Sequence, residues 1–358
     1  MLRLLIVDDS ALMRKCLVSL LEPTGEFDIR TSRNGAEALL EIKTFKPDVI
    51  TLDINMPEMD GLTCLAHIMM ERPCPVVMIS SLTTKGALAT FEALALGAVD
   101  FVAKPDGTIS LSLDAIASEL VAKVRTAAAS RVRPKAATPR TAWAEVAKKE
   151  SERPAKPPLT GASAAATGVV VIGVSTGGPQ TLEAILPRLP ADLPWPVVLA
   201  QHMPAAFTQS FAERLNRMSA LNVVEVARPV AIVPGTVYIA RGDADLALMR
   251  RSEGIMASPR PASDRYIWHP SVDCLARSAL DLYKPECIIG VLLTGMGSDG
   301  ADAMTAIRKA GGKTIAESEK SCVVFGMPRE LIQRGGASLV LDADRIAMQI
   351  TQWLRWPG

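Results

Sequence analysis

Short apolar runs rich in Val, Ile and Leu alternate along this chain with longer segments whose apolar positions recur every three or four residues. The first kind reads as strands buried on both faces and the second as amphipathic helices. From the amino terminus the pattern predicts strands at residues 2–7, 28–31, 49–53, 76–80 and 100–103. Between and after them it predicts helices at 10–21, 35–45, 61–71, 86–96 and 113–129. Strands regularly followed by helices argue for a doubly wound parallel sheet. The rhythm then stops. Residues 126–167 are dominated by Ala, Pro, Thr, Lys and Arg, a composition that buries little and reads as a flexible tether. A short helix at 143–150 is the one element expected within it.

The βα pattern resumes with β-branched residues at 169–172, which run into Gly173-Val174-Ser175-Thr176-Gly177-Gly178-Pro179, and a helix from Pro179 to about Leu189. Strands are predicted at 196–200, 223–226, 237–239, 246–249, 288–293, 314–316 and 338–341. Helices are predicted at 207–218, 270–281, about 300–310, 328–333 and 343–353. The strands at 237–239 and 246–249 look like a hairpin across Arg241-Gly242-Asp243. The chain thus divides into residues 1–125, a linker at 126–167, and residues 168–358.

Composition narrows the function classes. The 358 residues carry 39 Lys and Arg against 38 Asp and Glu, a net charge of +1, with no basic stripe of the kind that marks a nucleic-acid footprint. The six cysteines form no C-x-x-C pair and no zinc spacing with histidine. The N-terminus turns acidic at Asp8-Asp9 after a short apolar run, unlike a signal peptide, and no apolar stretch is long enough to span a bilayer. A cytoplasmic protein that binds no nucleic acid and inserts into no membrane is expected.

In a doubly wound sheet, chemistry gathers at the carboxyl ends of the strands. In the first domain those ends carry Asp8 and Asp9, Asp53, Ser80 and Lys104. Three carboxylates brought together make a hard-oxygen site suited to Mg²⁺, whose charge offsets their repulsion. Lys104 and Ser80 could each hold a phosphoryl oxygen. Taken singly, strand-end aspartates also serve as caps for the helices that follow.

In the second domain Gly173-Val174-Ser175-Thr176-Gly177 fits the G-x-S-x-G pattern that lifts a serine hydroxyl to a sheet edge. A plain Gly/Ser turn fits it too. A phosphate loop fits less well, because no Lys follows the glycines. A serine nucleophile needs a base, and the chain has three histidines. His67 lies in the first domain and His269 precedes a proline at a helix start, whereas His202 follows a strand and is favoured. Asp299, in a glycine-rich turn after the strand at 288–293, is the choice for the carboxylate that orients the imidazole; the rival reading makes it an N-cap for the next helix, and Asp243, Asp264 and Asp273 lie on less certain elements.

Two families share these residues. Residues 1–125 resemble the receiver domain of bacterial response regulators, through Asp8-Asp9, the block Asp53-Ile54-Asn55-Met56-Pro57-Glu58-Met59-Asp60-Gly61, Ser80 and Lys104-Pro105. Residues 168–358 resemble the catalytic domain of the chemotaxis protein-glutamate methylesterases, the CheB family. The matching blocks are Gly173 to Pro179, Gln201-His202-Met203-Pro204, Pro270-Ser271-Val272-Asp273 and Leu292 to Gly300.

The resemblance implies a flavodoxin-like receiver and a Rossmann-like hydrolase. It implies that Asp53 takes a phosphoryl group from a chemotaxis histidine kinase, with Mg²⁺ on Asp9, Asp53 and the Asn55 carbonyl and Asp8 nearby. Ser80 and Phe101 fall at switch positions, and Pro105 at a cis proline. Ser175 becomes the nucleophile, His202 the general base and acid, Asp299 the orienting carboxylate, and the backbone N–H of Met296 an oxyanion donor. The implied substrates are methyl-accepting chemoreceptors, whose glutamate esters are hydrolysed and glutamines deamidated without a cofactor. The unphosphorylated receiver is expected to shield Ser175 until phosphorylation releases it. Ala276, where the family usually has Phe, and Arg241-Gly242-Asp243, where it often has Pro-Gly, depart from the pattern without changing the triad. Two other classes compete with this reading. A phosphorylation-dependent binding protein would need a degenerate hydrolase domain, and a DNA-binding regulator would need a basic recognition helix that the second half lacks.

Overall fold

A computed structural model describes residues 1–104, 113–130, 166–252 and 254–355. Pro105, the helix expected at 143–150 and most of the expected tether lie outside these residues. The chain separates into two compact units, Met1–Pro139 and Arg140–Gly358.

The first unit is built on strands β1 (Leu2–Val7), β2 (Phe27–Ser32), β3 (Val49–Asp53), β4 (Val76–Ser80) and β5 (Asp100–Ala103). They form one parallel sheet in the order β2-β1-β3-β4-β5, so the strand order reverses between β1 and β3. The two middle strands β3 and β4 are buried at every position, as continuous apolar runs demand. Helices α1 (Ala11–Leu21), α2 (Gly35–Phe45), α3 (Gly61–Glu71), α4 (Thr84–Leu96) and α5 (Leu113–Ala128) connect or follow them. Each of the first four starts at a residue whose side-chain oxygen accepts a first-turn amide: Ser10, Asn34, Asp60 and Thr83. Such a cap stabilises a helix by about 1 kcal/mol and fixes where it begins.

The second unit has a seven-stranded parallel sheet and a small antiparallel one. The strands in chain order are β6 (Val169–Val174), β7 (Val197–Gln201), β8 (Asn222–Val226), β9 (Val230–Ala231), β10 (Thr236–Ala240), β11 (Ala244–Arg251), β12 (Gly254–Pro261), β13 (Ile288–Leu292), β14 (Lys313–Glu317) and β15 (Leu339–Leu341). The large sheet runs β15-β14-β13-β6-β7-β10-β8. The chain builds outward from β6 on one side and returns to its other side with β13, which makes the β6–β13 border the switch point. All of β6, β7, β10 and β13 is buried. At roughly 1.5–3 kcal/mol for each large aliphatic side chain removed from water, these strands fix the sheet.

Six helices follow the strands: α6 (Gly178–Ile185), α7 (Ala205–Met218), α8 (Val272–Leu280), α9 (Ala301–Lys309), α10 (Met327–Gln333) and α11 (Ala343–Arg355). Two expectations need correction here. The helix opening at Pro179 does not reach Leu189 as a single α-helix; it gives way to a 3-10 turn at Leu186–Arg188. Pro187 has no N–H for the α-helical ladder. The predicted 237–239/246–249 hairpin does not form. β10 pairs in parallel with β7 and β8, while β11 pairs antiparallel with β12 in the second sheet. The Arg241–Asp243 turn carries the chain from one sheet to the other. β12 escaped the pattern because Pro259 and Pro261 argue against a strand; β9 reaches only Met256 and Ala257, so neither proline has to donate to it.

Candidate active site

Ser175, His202 and Asp299 each leave the carboxyl end of a strand flanking the switch point. Ser175 follows β6, His202 follows β7, and Asp299 lies in the turn after β13. The backbone ties the three turns together. The Ser175 N–H donates to the Thr294 carbonyl (2.9 Å) and the His202 N–H to the Val174 carbonyl (3.1 Å). The side-chain amide of Gln201, buried between them, donates to the carbonyls of both Ser175 (3.0 Å) and His202 (3.1 Å).

The turn at Ser175 is tight without straining the serine. Its left-handed residue is Gly177 (φ 77°), at the N-cap of α6, where a Cβ would stand 2.5 Å from the Cβ of Val323. Gly295 presses from the other side: a Cβ there would lie 2.5 Å from that of Ser175. Met296 follows directly, at the rim of this contact.

Asp299 is not the cap of the helix it precedes. That position is Gly300. The Asp299 carboxylate instead takes the His202 Nε2 at 2.9 Å, the N–H groups of Val272 (2.7 Å) and Asp273 (3.0 Å), and the Ser271 hydroxyl (3.0 Å). It thereby caps α8, and Asp273 returns the favour by accepting the Ala303 N–H of α9 at 2.8 Å. Burial pushes the Asp299 carboxyl up, but the bonds from His202 and from these amides outweigh it and hold the group below the usual aspartate range. Asp273, with burial dominant and Asp299 beside it, is pushed the other way.

A carboxylate only accepts, so in the neutral imidazole the proton sits on Nε2 and the lone pair on Nδ1. His202 Nδ1 is buried and accepts no hydrogen bond among the described residues. The ring is further held by Trp268, stacked at 5.1 Å between centroids and 12° from parallel. The Arg241–Asp243 turn supports the same loop. A Cβ at Gly242 would come within 2.3 Å of the Met203 carbonyl, and the Asp243 carboxylate accepts the Ala205 N–H at the start of α7 (3.2 Å).

Sequence reasoning missed Trp268, the Gln201 bridge and Glu317. Glu317 is fully buried at the end of β14, accepting the Thr294 N–H (2.8 Å) and the Ser321 hydroxyl (2.8 Å). Thr294 in turn receives the Ser175 N–H. The signal was a carboxylate at a strand end, the same one that singled out Asp53. His269 lies off this site with its Nδ1 3.0 Å from Asp245, and His67 pairs with Glu71 in the first unit.

In the first unit the carboxylates of Asp8, Asp9 and Asp53 can present oxygens within 4.8 Å of one another across the β1–β3 switch point. Asp8 and Asp53 are buried and Asp9 is exposed, an open trio of hard oxygens that suits Mg²⁺. Lys104 reaches in to pair with Asp8 (2.9 Å) and Asp53 (2.8 Å). Burial pushes the Asp53 carboxyl up and Asp8 adds to it; Lys104 and the Asn55 N–H do not fully offset them. The Ser80 hydroxyl, also buried, faces α4 instead, accepting from Thr90 (2.7 Å) and reaching the Gly86 carbonyl (3.3 Å). Phe101 is buried, with the Lys123 ammonium 5.1 Å from its ring centroid.

Residues 170–350 match the family model of the CheB methylesterase, and residues 4–113 that of the response regulator receiver domain. A Rhodospirillum rubrum protein named protein-glutamate methylesterase/protein-glutamine glutaminase 3 is 55% identical over 99% of this chain and 96% of its own length. A Rhodopseudomonas palustris protein of the same name, numbered 2, is 51% identical over 99% and 98%. Among solved structures, the Thermotoga maritima CheB methylesterase catalytic domain is 40% identical with a TM-score of 0.50, covering 52% of this chain and 97% of that one.

Proposed function

This chain belongs to the CheB methylesterase family, with a response regulator receiver ahead of the esterase domain, and on that premise we propose a phosphorylation-activated Ser-His-Asp hydrolase acting on methyl-accepting chemoreceptors. It is a protein-glutamate methylesterase with protein-glutamine glutaminase activity. The observation that carries the mechanism is the His202–Asp299 pair beside the Ser175 turn, with the imidazole lone pair on Nδ1.

Ser175 Oγ attacks the side-chain carbonyl of the ester while His202 Nδ1 takes its proton. Asp299 stays ionised and stabilises the imidazolium. The oxyanion forms beside Gly295, where the Met296 N–H is the proposed donor; losing one such donor typically costs about 100-fold or more. The tetrahedral adduct collapses, the proton on Nδ1 passes to the departing methoxide or amide nitrogen, and methanol or ammonia leaves. A water then gives its proton to Nδ1 and attacks the acyl-serine, releasing the glutamate carboxylate and restoring the Ser175 hydroxyl. Every proton moved is carried by His202.

Asp53 is the proposed phosphoryl acceptor, supplied by a chemotaxis histidine kinase. Asp9, Asp53 and the Asn55 carbonyl, with Asp8 adjacent, would hold Mg²⁺, which offsets the negative charge gathered there. Lys104, already between Asp8 and Asp53, is placed to pair with a phosphoryl oxygen. Phosphorylation shifts the population towards a form in which Ser175 is open to substrate, with Ser80 and Phe101 as the proposed switch residues. No helix among the described residues is long and apolar enough to cross a membrane, and the proposed site of action is the cytoplasmic side of the receptors.

The test is methanol release from methylated receptor membranes, with and without acetyl phosphate and Mg²⁺. Release that rises with the phosphodonor and vanishes in Ser175→Ala is expected. Release indifferent to the phosphodonor would remove the switch, and undiminished release from Ser175→Ala would remove the nucleophile.

A further inference from the structure

Between β11, β12 and α8 the second unit has a cavity of about 560 Å³ with a basic lining. Arg250 from β11, Arg260 from β12, Arg265 from the following connection and Arg277 from α8 all line it, together with Tyr266, whose ring lies 5.6 Å from the Arg265 guanidinium. All four arginines are exposed, and none is ion-paired among the described residues; Asp281 is the one carboxylate in the lining. Arg250 reaches the Leu282 carbonyl and Arg265 the Tyr266 ring, but no carboxylate among the described residues neutralises the four like charges, which favours an anionic occupant.

Two elements that line the cavity also run to the esterase site. The connection that carries Arg265 and Tyr266 goes on to Trp268, which stacks on His202. Arg277 sits on the helix whose first amides are held by Asp299. Three residues of chain span at most about 11 Å, so the Arg265 backbone lies within that distance of the Trp268 backbone. Carboxylates four or seven residues apart on a helix are separated by about 6 or 10.5 Å along its axis. A glutamate ester presented to Ser175 by a glutamate-bearing helix would therefore bring a neighbouring free carboxylate to the arginines. Between Tyr266 and Trp268, Ile267 is 89% exposed. An aliphatic side chain standing in water next along the chain from a lining residue suits an amphipathic polypeptide better than a small anion.

We infer that this cavity is a docking site for an acidic, amphipathic segment of the substrate protein, with Arg260, Arg265 and Arg277 pairing with unesterified glutamates next to the ester being cleaved. The inference rests on the esterase reading of Ser175 and adds to it the basis of substrate choice. Carboxylates made by earlier turnovers would tighten binding of the same segment, and salt would weaken it.

The experiment uses the full chain, treated with acetyl phosphate and Mg²⁺, and compares the wild type with Arg265→Gln/Arg277→Gln and with Arg260→Gln. These side chains are exposed, and the rate at which a fluorophosphonate labels Ser175 reports whether each variant keeps an intact site. The expected result is unchanged labelling, a KM for methylated receptor membranes raised about tenfold in the double variant and less in the single, and a shallower dependence of KM on ionic strength. A polyglutamate peptide should inhibit the wild type competitively and the double variant at least tenfold more weakly. Unchanged KM and salt dependence would overturn the inference. So would faster labelling of the variants without phosphodonor, which would mean that the cavity seats the protein's own receiver. Should Ser175→Ala keep its turnover, it is the esterase reading that fails, whatever the arginine variants do.

Discussion

Two aspartates at switch points of parallel sheets, Asp53, which is buried, and Asp299, which is largely so, have been pushed in opposite directions. Desolvation raises both. Asp299 receives four hydrogen bonds from groups fixed by secondary structure and the imidazole, and is held below the usual range. Asp53 receives its main support from one lysine side chain, has Asp8 against it, and is pushed above. Fixed donors solvate a charge permanently, which suits a carboxylate that must stay ionised while a neighbouring ring gains and loses a proton. A long lysine side chain and like-charged neighbours leave a carboxylate poorly solvated, which suits one that is to react or to take a cation. The difference separates a carboxylate that holds from one that changes.

The hardest blow to this comparison is Asp299→Asn. The amide would offer N–H to partners that are all donors, leaving a first-turn amide of α8 or the Ser271 hydroxyl without an acceptor. If its NH2 turned to His202, the ring proton would move to Nδ1 and the proposed base would be lost. A fall in kcat of about 10³–10⁴ is expected, since a triad carboxamide costs that much through the wrong tautomer. The stability effect has a defined sign. A carboxyl held below its unfolded value contributes stability above the unfolded pKa and loses it as pH falls through the folded one. Asp299→Asn should therefore be less stable than the wild type at pH 7, by about 3 kcal/mol as for a broken buried pair, with the gap closing below the ordinary aspartate range. Denaturant melts at a series of pH values check this; a gap constant with pH would mean that Asp299 is not specially stabilised as an anion.

Asp53→Asn should behave in the opposite way and by less. Lys104 keeps Asp8 as partner, the repulsion between Asp8 and Asp53 disappears, and little is left unpaired. The first unit should melt at the same temperature or a few degrees higher. Mg²⁺ at millimolar concentration should raise the melting temperature of the wild-type first unit, because a ligand that binds only the folded state stabilises it, and should do so much less in the variant. Calorimetry of the full chain reads both. Clear destabilisation of the variant without Mg²⁺ would show that Asp53 is a holding group after all.

Much of this was legible in the sequence because continuous apolar runs and strand-end polar residues are local signals. Position at strand ends favoured Ser175, His202, Asp8, Asp9, Asp53 and Lys104, while a cap reading stayed open for Asp299 until the family resemblance was added. What stayed hidden depended on contacts distant in sequence. Asp299 read as a possible cap for its own helix, and the fold uses it to cap α8, 27 residues away at Val272. Trp268 lay in a stretch with no periodicity, and only the stacking on His202 gives it a role. The 237–249 hairpin failed because local turn chemistry says that the chain bends at Arg241–Asp243 but not into which sheet it continues.

Glu317 offers the finest test, because it is a further carboxylate, fully buried at a strand end, with intermediate support. Burial pushes it up, and the Thr294 N–H and Ser321 hydroxyl are too few to bring it back. By the argument from fixed donors it should be a holding group of limited strength, acting on Ser175 only through Thr294. In Glu317→Gln the single amide oxygen can still accept the Thr294 N–H, while the amide nitrogen can meet the Ser321 oxygen. A fall in kcat of about three- to tenfold with KM unchanged is expected, the loss being one of alignment at the Ser175 turn. The pH sign is the reverse of that for Asp299: a carboxyl raised above its unfolded value makes the native state bind more protons, so stability falls as pH rises through the window just above the ordinary glutamate range. Glu317→Gln should remove that slope and match or exceed the wild type at pH 7, while falling behind it at lower pH. Glu317→Ala would cost more, about 1–3 kcal/mol, by stranding the Thr294 amide. If Glu317→Gln left kcat untouched, the Thr294 bond would be structural alone; if it shifted KM as well, Glu317 would reach the substrate pocket by a route other than the Ser175 turn.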